Sequence, residues 1–243
     1  MYETFFGLQH LPFSSVPAPE QYLPFDAIKT ARETIERAID RGEGPALLVA
    51  PTGIGKTLLC QLIARRFEGE FSVAMLAHSK LCTRRALLQN ILFALNLPFR
   101  KMDEGELRLS LMDFVDPGPE CDRGLLLIVD EAHTFSTRLL EELRLITNLV
   151  RNGQPRVRLL LSGTGRLEEI MSEPQMESFQ QRVAARCYLH ALTRDEVREY
   201  VQGQLIRAGA AESVFSDDAY QAVHDASDGI PRLINQICDH ALL

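Results

Sequence analysis

Apolar residues in this chain gather in short, nearly unbroken runs at 46–50, 71–77, 125–129 and 157–162, and more loosely at 183–189. A run apolar on both faces reads as a strand inside a parallel sheet. Between the runs, apolar positions recur at helical spacing. The expected helices cover 26–40, with Asp26 as cap and Gly42 and Gly44 as stop, then 56–67, 83–95 and a weaker 104–115. Pro117-Gly118-Pro119 marks a surface loop. Leu139, Leu140, Leu143, Ile146, Leu149 and Val150 fall on one face of a further helix, which Asn152-Gly153 ends. Strands alternating with helices imply an α/β fold with a parallel sheet covered on both sides.

The ends of the chain read differently. Residues 1–25 are rich in Phe, Tyr and Pro, which suits a non-helical ordered strap whose aromatics are buried on a core. Phe6, Phe13 and Tyr22 belong to it, with core packing as their reading and an adenine pocket as the second. From residue 193 only helices are expected. Thr193-Arg194-Asp195-Glu196 is a capping box whose helix Gly209 ends, Ser216 caps a helix with Ala219, Ala222, Val223 and Ala226 on one face, and Pro231 opens a third. The division is a strap at 1–25, an α/β core at 26–191 and a small all-helical lid at 192–243. There are no internal repeats and no low-complexity tract.

Two of the strand runs end in chemistry. The first leads into Ala50-Pro51-Thr52-Gly53-Ile54-Gly55-Lys56-Thr57, followed at once by a helix pattern. Gly53 and Gly55 let the backbone bend round an anion and aim its N–H groups inward. The helix N-terminus adds its partial positive charge at the same point. Pro51, Thr52, Gly53, Ile54, Gly55, Lys56, Thr57 and Leu58 then form a phosphate cradle, with Lys56 reaching the β- and γ-phosphates and the Thr57 hydroxyl on Mg2+. The third run, Leu125 to Val129, ends in Asp130-Glu131. There Asp130 would hold magnesium through water and Glu131 would polarise the water that attacks the γ-phosphorus. Taken alone, each segment has a plain alternative, a glycine turn or a solvated strand end; together they specify a nucleoside-triphosphate site. His133 reads as a loop or helix-start residue.

Composition narrows the class. The 243 residues are 46% hydrophobic and 24% charged, as in an ordinary globular protein, and no apolar run approaches the roughly 18–20 residues that span a bilayer. The start, Met1-Tyr2-Glu3-Thr4, lacks the basic stretch of a signal peptide. Five scattered cysteines without a C-x-x-C pair suit a reducing compartment and argue against a disulfide framework or a zinc site. A net charge of −7 means that nucleic-acid contact would need a local basic patch. Arg84/Arg85, Arg100/Lys101 and Arg151/Arg156/Arg158 are the candidates, and solvated surface arginines are the plainer reading of each.

Two arginines need a reason. Arg232 follows Pro231 in a first helical turn, where a cation opposes the helix dipole at a cost of about 0.3–1 kcal/mol. A phosphate at the lid interface would offset it. Arg182, just before the last strand, is a candidate arginine finger toward a neighbouring subunit. For both arginines, a surface residue in a local ion pair is the plainer reading when each is taken alone.

Several strings, in order along nearly the whole chain, carry a resemblance. They are Phe6-Gly7-Leu8 with Pro12-Phe13, the loop at 50–57, Asp130-Glu131-Ala132-His133, Leu140-Glu141-Glu142-Leu143-Arg144-Leu145 with Thr147-Asn148-Leu149, Gln181-Arg182-Val183, and Gly229-Ile230-Pro231-Arg232-Leu233-Ile234-Asn235. The chain resembles the AAA+ ATPases, and more narrowly the general secretion pathway protein A (ExeA/GspA) family with its TniB-type transposition relatives. The resemblance implies a P-loop three-layer αβα core with a helical lid, and ATP with Mg2+ as ligands; ATP over GTP rests on it alone. It also implies a homo-oligomeric ring or filament, with Arg232 as sensor 2 at the γ-phosphate and Arg182 as the in-trans finger, Arg186 being the fallback. The family's usual glycine is Ala50 here. Its usual Gly-Gln-Pro-Glu-Leu is Gly163-Thr164-Gly165-Arg166-Leu167, which makes Thr164 the sensor 1, with Ser162 as competitor. Secretion-type members continue into a membrane segment and a periplasmic domain, so the apolar end at 237–243 reads as a truncation or a stand-alone version.

The expected activity is ATP hydrolysis by a cytoplasmic oligomer, at the inner-membrane face if a tether is missing, assisting an envelope or secretion system. The alternative is a DNA-associated transposition-type ATPase. A DEAH-type helicase fits least, since the lid is too small to be a second RecA-like domain.

Overall fold

The computed structural model describes residues 2–14, 16, 19–77, 81–116, 123–210 and 214–243. The expected loop at Pro117-Gly118-Pro119 and Cys121 lie outside the described residues. Helix α1 is one turn, Tyr2–Phe5, and α2 runs Asp26–Arg41. Strand β1 (Ala46–Val49) leads into α3 (Lys56–Phe67), then β2 (Ser72–Leu76), α4 (Arg84–Ala94) and α5 (Glu104–Phe114). Strand β3 (Leu125–Val129) is followed by a 3-10 turn, Ala132–Thr134, and α6 (Thr137–Thr147). A hairpin of β4 (Val150–Arg151) and β5 (Gln154–Pro155) precedes β6 (Val157–Gly163), α7 (Gly165–Met171), α8 (Glu177–Gln180) and β7 (Ala185–Tyr188). Helices α9 (Arg194–Arg207), α10 (Asp217–Ser227) and α11 (Pro231–Leu242) end the chain.

The central sheet has five parallel strands in the order β2-β3-β6-β1-β7. Strand alternation sorts its side chains into two cores. Leu125, Leu127 and Val129 of β3, with Leu159 and Leu161 of β6, pack under α4, α5 and α6. Leu126, Ile128 and Leu160 point the other way, against Ile35 and Ile39 of α2 and Leu59 and Ile63 of α3. Burial on both faces explains why these strands lack a polar alternation, and it makes the αβα sandwich. Both the phosphate-type loop and the Asp130-Glu131 pair leave the sheet at its C-terminal edge, where parallel α/β sheets carry their ligands.

A third core lies apart from the sheet. Val197, Val201 and Leu205 of α9, Tyr220 and Val223 of α10, and Ile234, Cys238 and Leu242 of α11 surround Tyr2, Leu8 and Phe13. Tyr2 to Ser14 of the strap are therefore packed on the lid helices, while Glu20 pairs with Arg65 of α3. The bonds to the lid agree: the Gln9 N–H donates to Ala208 O at 2.6 Å, and the Asn235 side chain donates to Ser14 O at 2.8 Å. Capping fixes the lid locally. Thr193 and Glu196 form the expected capping box, and Ser216 accepts from Ala219 N. Among the described residues, no helix is long and apolar enough to cross a membrane.

Five local expectations change. The strap contains two short helical turns, α1 and a 3-10 turn at Pro19–Gln21. Phe25 stands at the N-cap of α2 and Asp26 is its first helical residue, so Asp26 serves the dipole of the first turn and caps nothing. Helix α6 stops at Thr147, and Asn152-Gly153, both at positive φ (52° and 74°), is the turn of the β4–β5 hairpin. Asn-Gly favours that turn because both central positions need φ > 0. On α10 the buried face is Tyr220, Val223 and Ser227, while Ala222 and Ala226 are exposed. Arg156 and Arg158 are buried: their Nε atoms donate to Val115 O at 2.7 Å and Ile39 O at 2.9 Å, and bury charge where backbone carbonyls need donors.

Candidate functional site

The loop at 50–55 takes the shape its glycines permit. Gly53 (φ 87°) and Gly55 (φ 106°) both lie in the left-handed region. A Cβ on Gly53 would come within 2.9 Å of Ile230 Cγ2 and 3.1 Å of Arg232 Cβ, so the lid is seated directly on the loop. The Arg232 N–H donates to Gly53 O at 3.2 Å. Ile54 is buried in the α2–α3 core with Ile230 packed against that core, which anchors the loop from both sides. Pro51 and Thr52 face solvent, and Thr57 and Leu58 lie in the first turn of α3, where backbone donors have no intrahelical partners.

Lys56 is only 4% exposed, and its ammonium is folded back on the loop. It donates to Ala50 O and Pro51 O, each at 3.1 Å, and lies 3.8 Å from Glu131 Oε1. The Thr57 hydroxyl donates to Asp130 Oδ2 at 2.6 Å, and Asp130 Oδ1 accepts from the Glu131 N–H at 3.0 Å. Asp130, at the end of β3, is 2% exposed. A buried hydroxyl–carboxylate pair is an all-oxygen donor set of the kind a hard divalent cation takes. Among the described residues no cluster of three or more His, Cys, Asp or Glu forms a metal site. The oxygens of Thr57 and Asp130 fit Mg2+, which needs only one or two protein oxygens beside a phosphate.

Glu131 sits at φ 56°, a conformation non-glycine residues avoid. The surroundings over-determine it: its N–H is held by Asp130, and its carbonyl accepts from Thr134 N at 3.0 Å and Thr134 Oγ1 at 2.9 Å. The turn aims its carboxylate between Lys56 and His133, whose Nε2 lies 3.5 Å from Glu131 Oε2. His133 lies in the 3-10 turn that follows the pair, as expected of a helix-start residue, and its ring faces the Glu131 carboxylate. The Asp-Glu-Ala-His string was the signal for it.

Thr164 caps α7 with its backbone alone, its hydroxyl making no capping bond, at the same sheet edge. Ser162 is fully buried on the α3 side of β6, its hydroxyl beside the Cys60 thiol. Of the two sensor candidates, Thr164 is at the edge and Ser162 is inside the core. Arg182 is not brought to this site. The Ala184 N–H donates to Pro45 O, which puts Arg182 beside the start of β1, while Lys56 follows its end. Four strand residues, roughly 13 Å, separate the two levels. Arg182 is exposed and bonded to Asn148, and Arg186 is exposed on the edge strand β7.

The basic pairs do not form a stripe. Arg84 pairs with Glu142, Arg85 donates to Met102 O, Arg100 lies over the Phe99 ring, and Arg151 pairs with Asp116. Arg156 and Arg158 are buried, while Arg85, Arg100 and Lys101 are exposed.

The profile of the AAA domain family matches residues 39–171. General secretion pathway protein A of Aeromonas hydrophila is 32% identical over the full chain, which spans 44% of that protein. The ORC2 protein of Aeropyrum pernix, solved in ADPNP–ADP complexes, superposes with a TM-score of 0.67 at 21% identity, covering 90% of this chain and 65% of its own. The ORC1 protein of the same organism, solved in complex with DNA, gives 0.69 at 19% identity, with coverage of 95% and 63%. At such identities the structures show a shared fold. The matched segment contains the glycine loop, its lysine and the paired carboxylates, and the chain belongs to the AAA domain family.

Proposed function

We propose that this chain hydrolyses ATP as a subunit of a homo-oligomer that assists an envelope or secretion system from the cytoplasmic side. The observation that carries the hydrolytic part is the convergence of Lys56, Thr57, Asp130 and Glu131 at one sheet edge, locked by the Thr57–Asp130 bond. The 32% identity to General secretion pathway protein A supports the setting.

Lys56 exchanges two loop carbonyls and its 3.8 Å contact with Glu131 for the β- and γ-phosphates, trading neutral acceptors and one distant carboxylate for charge-assisted bonds. Thr57 and Asp130 would hold magnesium, which supplies charge neutralisation on the phosphate oxygens. Glu131 orients a water; its oxygen bonds to the γ-phosphorus, the bridging P–O bond breaks to leave ADP, and Glu131 takes the proton. Thr164 and Arg232 report on the γ-phosphate from the sheet edge and the lid. Arg182 acts on a neighbour's nucleotide, which suits its exposure and its distance from its own Lys56.

The DNA-associated alternative shares every one of these steps and differs in partner. A Glu131→Gln variant, which should hold ATP without splitting it, separates the two. No duplex-DNA binding with ATP, by a variant that assembles, is the expected result. Tight ATP-dependent binding that weakens steeply between low and physiological salt would favour the alternative.

A further inference from the structure

We infer that His133 is a positioning residue for Glu131, tying the hydrolytic carboxylate to the β6–α7 junction that carries Thr164. The Thr164 N–H donates to His133 Nδ1 at 3.4 Å. An accepting Nδ1 leaves the imidazole proton on Nε2, the nitrogen facing Glu131 Oε2 at 3.5 Å. One ring therefore bridges the end of β6 and the carboxylate after β3. The bridge is backed by close packing, since a Cβ on Gly163 would lie 3.3 Å from His133 N and 3.0 Å from Leu167 Cβ. Neither element can shift far without moving the ring.

The inference rests on the reading of Glu131 as the hydrolytic base and Lys56 as the phosphate ligand. Among the described residues, two charged or titratable side chains lie within 4 Å of the Glu131 carboxylate, Lys56 on Oε1 and His133 on Oε2. Once Lys56 turns to phosphate, the His133 contact is left in place. The Thr164 bond is long at 3.4 Å and the Glu131 approach is a 3.5 Å contact, and in the proposed cycle both tighten when Thr164 meets the γ-phosphate. His133 thus makes the aim of Glu131 depend on the state of the β6–α7 junction.

The test compares His133→Ala, His133→Gln, Glu131→Gln and the Glu131→Gln/His133→Ala pair in steady-state ATP hydrolysis, with nucleotide affinity measured by a fluorescent ATP analogue. Loss of a residue that orients a ligand side chain costs about 10–100-fold. His133→Ala should lower kcat by about tenfold or more with KM and analogue affinity within about twofold, and His133→Gln, which keeps a side-chain N–H donor, should recover to within about threefold. In the Glu131→Gln background the alanine should cost nothing further. Wild-type kcat in His133→Ala beside an inactive Glu131→Gln would overturn this inference alone. Full activity in Glu131→Gln would overturn the base assignment, and the inference with it. A kcat loss that is the same for Ala and Gln, or that adds to Glu131→Gln, would reduce His133 to a structural residue.

Discussion

Thr57 and Asp130 share a 2.6 Å hydrogen bond, hydroxyl to carboxylate, across 73 positions of chain. The bond joins the first turn of α3 to the end of β3, so it fixes the phosphate loop relative to the carboxylate pair. Asp130→Asn keeps the shape and removes the charge. It should leave the fold intact and abolish the increase in nucleotide affinity that Mg2+ confers, a loss of about tenfold or more. Titrating a fluorescent nucleotide with and without chelator checks this, and an unchanged response to Mg2+ would refute the pairing as a metal site.

The lid is closed over its own linker at Gly229. There φ is 69°, and a Cβ would lie 2.0 Å from Leu192 O. Gly229→Ala should destabilise the protein by more than ~1 kcal/mol, since both the backbone conformation and the space are denied to alanine. Urea denaturation measures it. Gly69→Ala, also at positive φ but with open space round it, is the control and should cost less.

Glu142 is fully buried on α6, between Arg84 and Arg108. Replacing both arginines by alanine strands a buried carboxylate and should cost about 3 kcal/mol. Glu142→Leu should fall within about 1 kcal/mol of the wild type, because a buried ion pair returns little over a well-packed apolar residue. Equal losses for the two variants would contradict this account of the α6 contact.

Burial raises the thiol pKa of Cys60 and Cys187 above the ordinary 9.0, and pushes Cys238 up to about 12. These groups are raised relative to the unfolded chain, so the stability they contribute is complete below pH 9 and is lost as pH climbs through the folded values. The urea midpoint should therefore decline above about pH 9. Maleimide at pH 8 should label exposed Cys82 in the native protein and reach Cys60, Cys187 and Cys238 only after unfolding. Native labelling of Cys60 at the Cys82 rate would contradict the packing of α3.

What was legible in the sequence was what short-range physics dictates. Strand β3 shows as Leu-Leu-Leu-Ile-Val because both faces are buried, and the phosphate loop shows because Gly53 and Gly55 must adopt positive φ. Misreadings arose where tertiary contact decides. Leu149 and Val150 continue the apolar period of α6, and a hairpin with two-residue strands is too short to show an alternation of its own. Arg156 and Arg158 look like surface cations until Val115 O and Ile39 O, from distant elements, supply their partners. The packing of Tyr2, Leu8 and Phe13 on the lid helices leaves no trace in spacing, since it depends on how separate elements dock.

The central claim is that Glu131 is the base of an ATPase whose site a neighbouring subunit completes. It is tested most directly by ATP turnover per subunit across a dilution series, wild type beside Glu131→Gln. The account predicts a wild-type rate that falls as the assembly dissociates, and a Glu131→Gln variant that binds ATP but turns it over at least ~100-fold more slowly. A rate indifferent to dilution, or a Glu131→Gln variant as fast as the wild type, would contradict it.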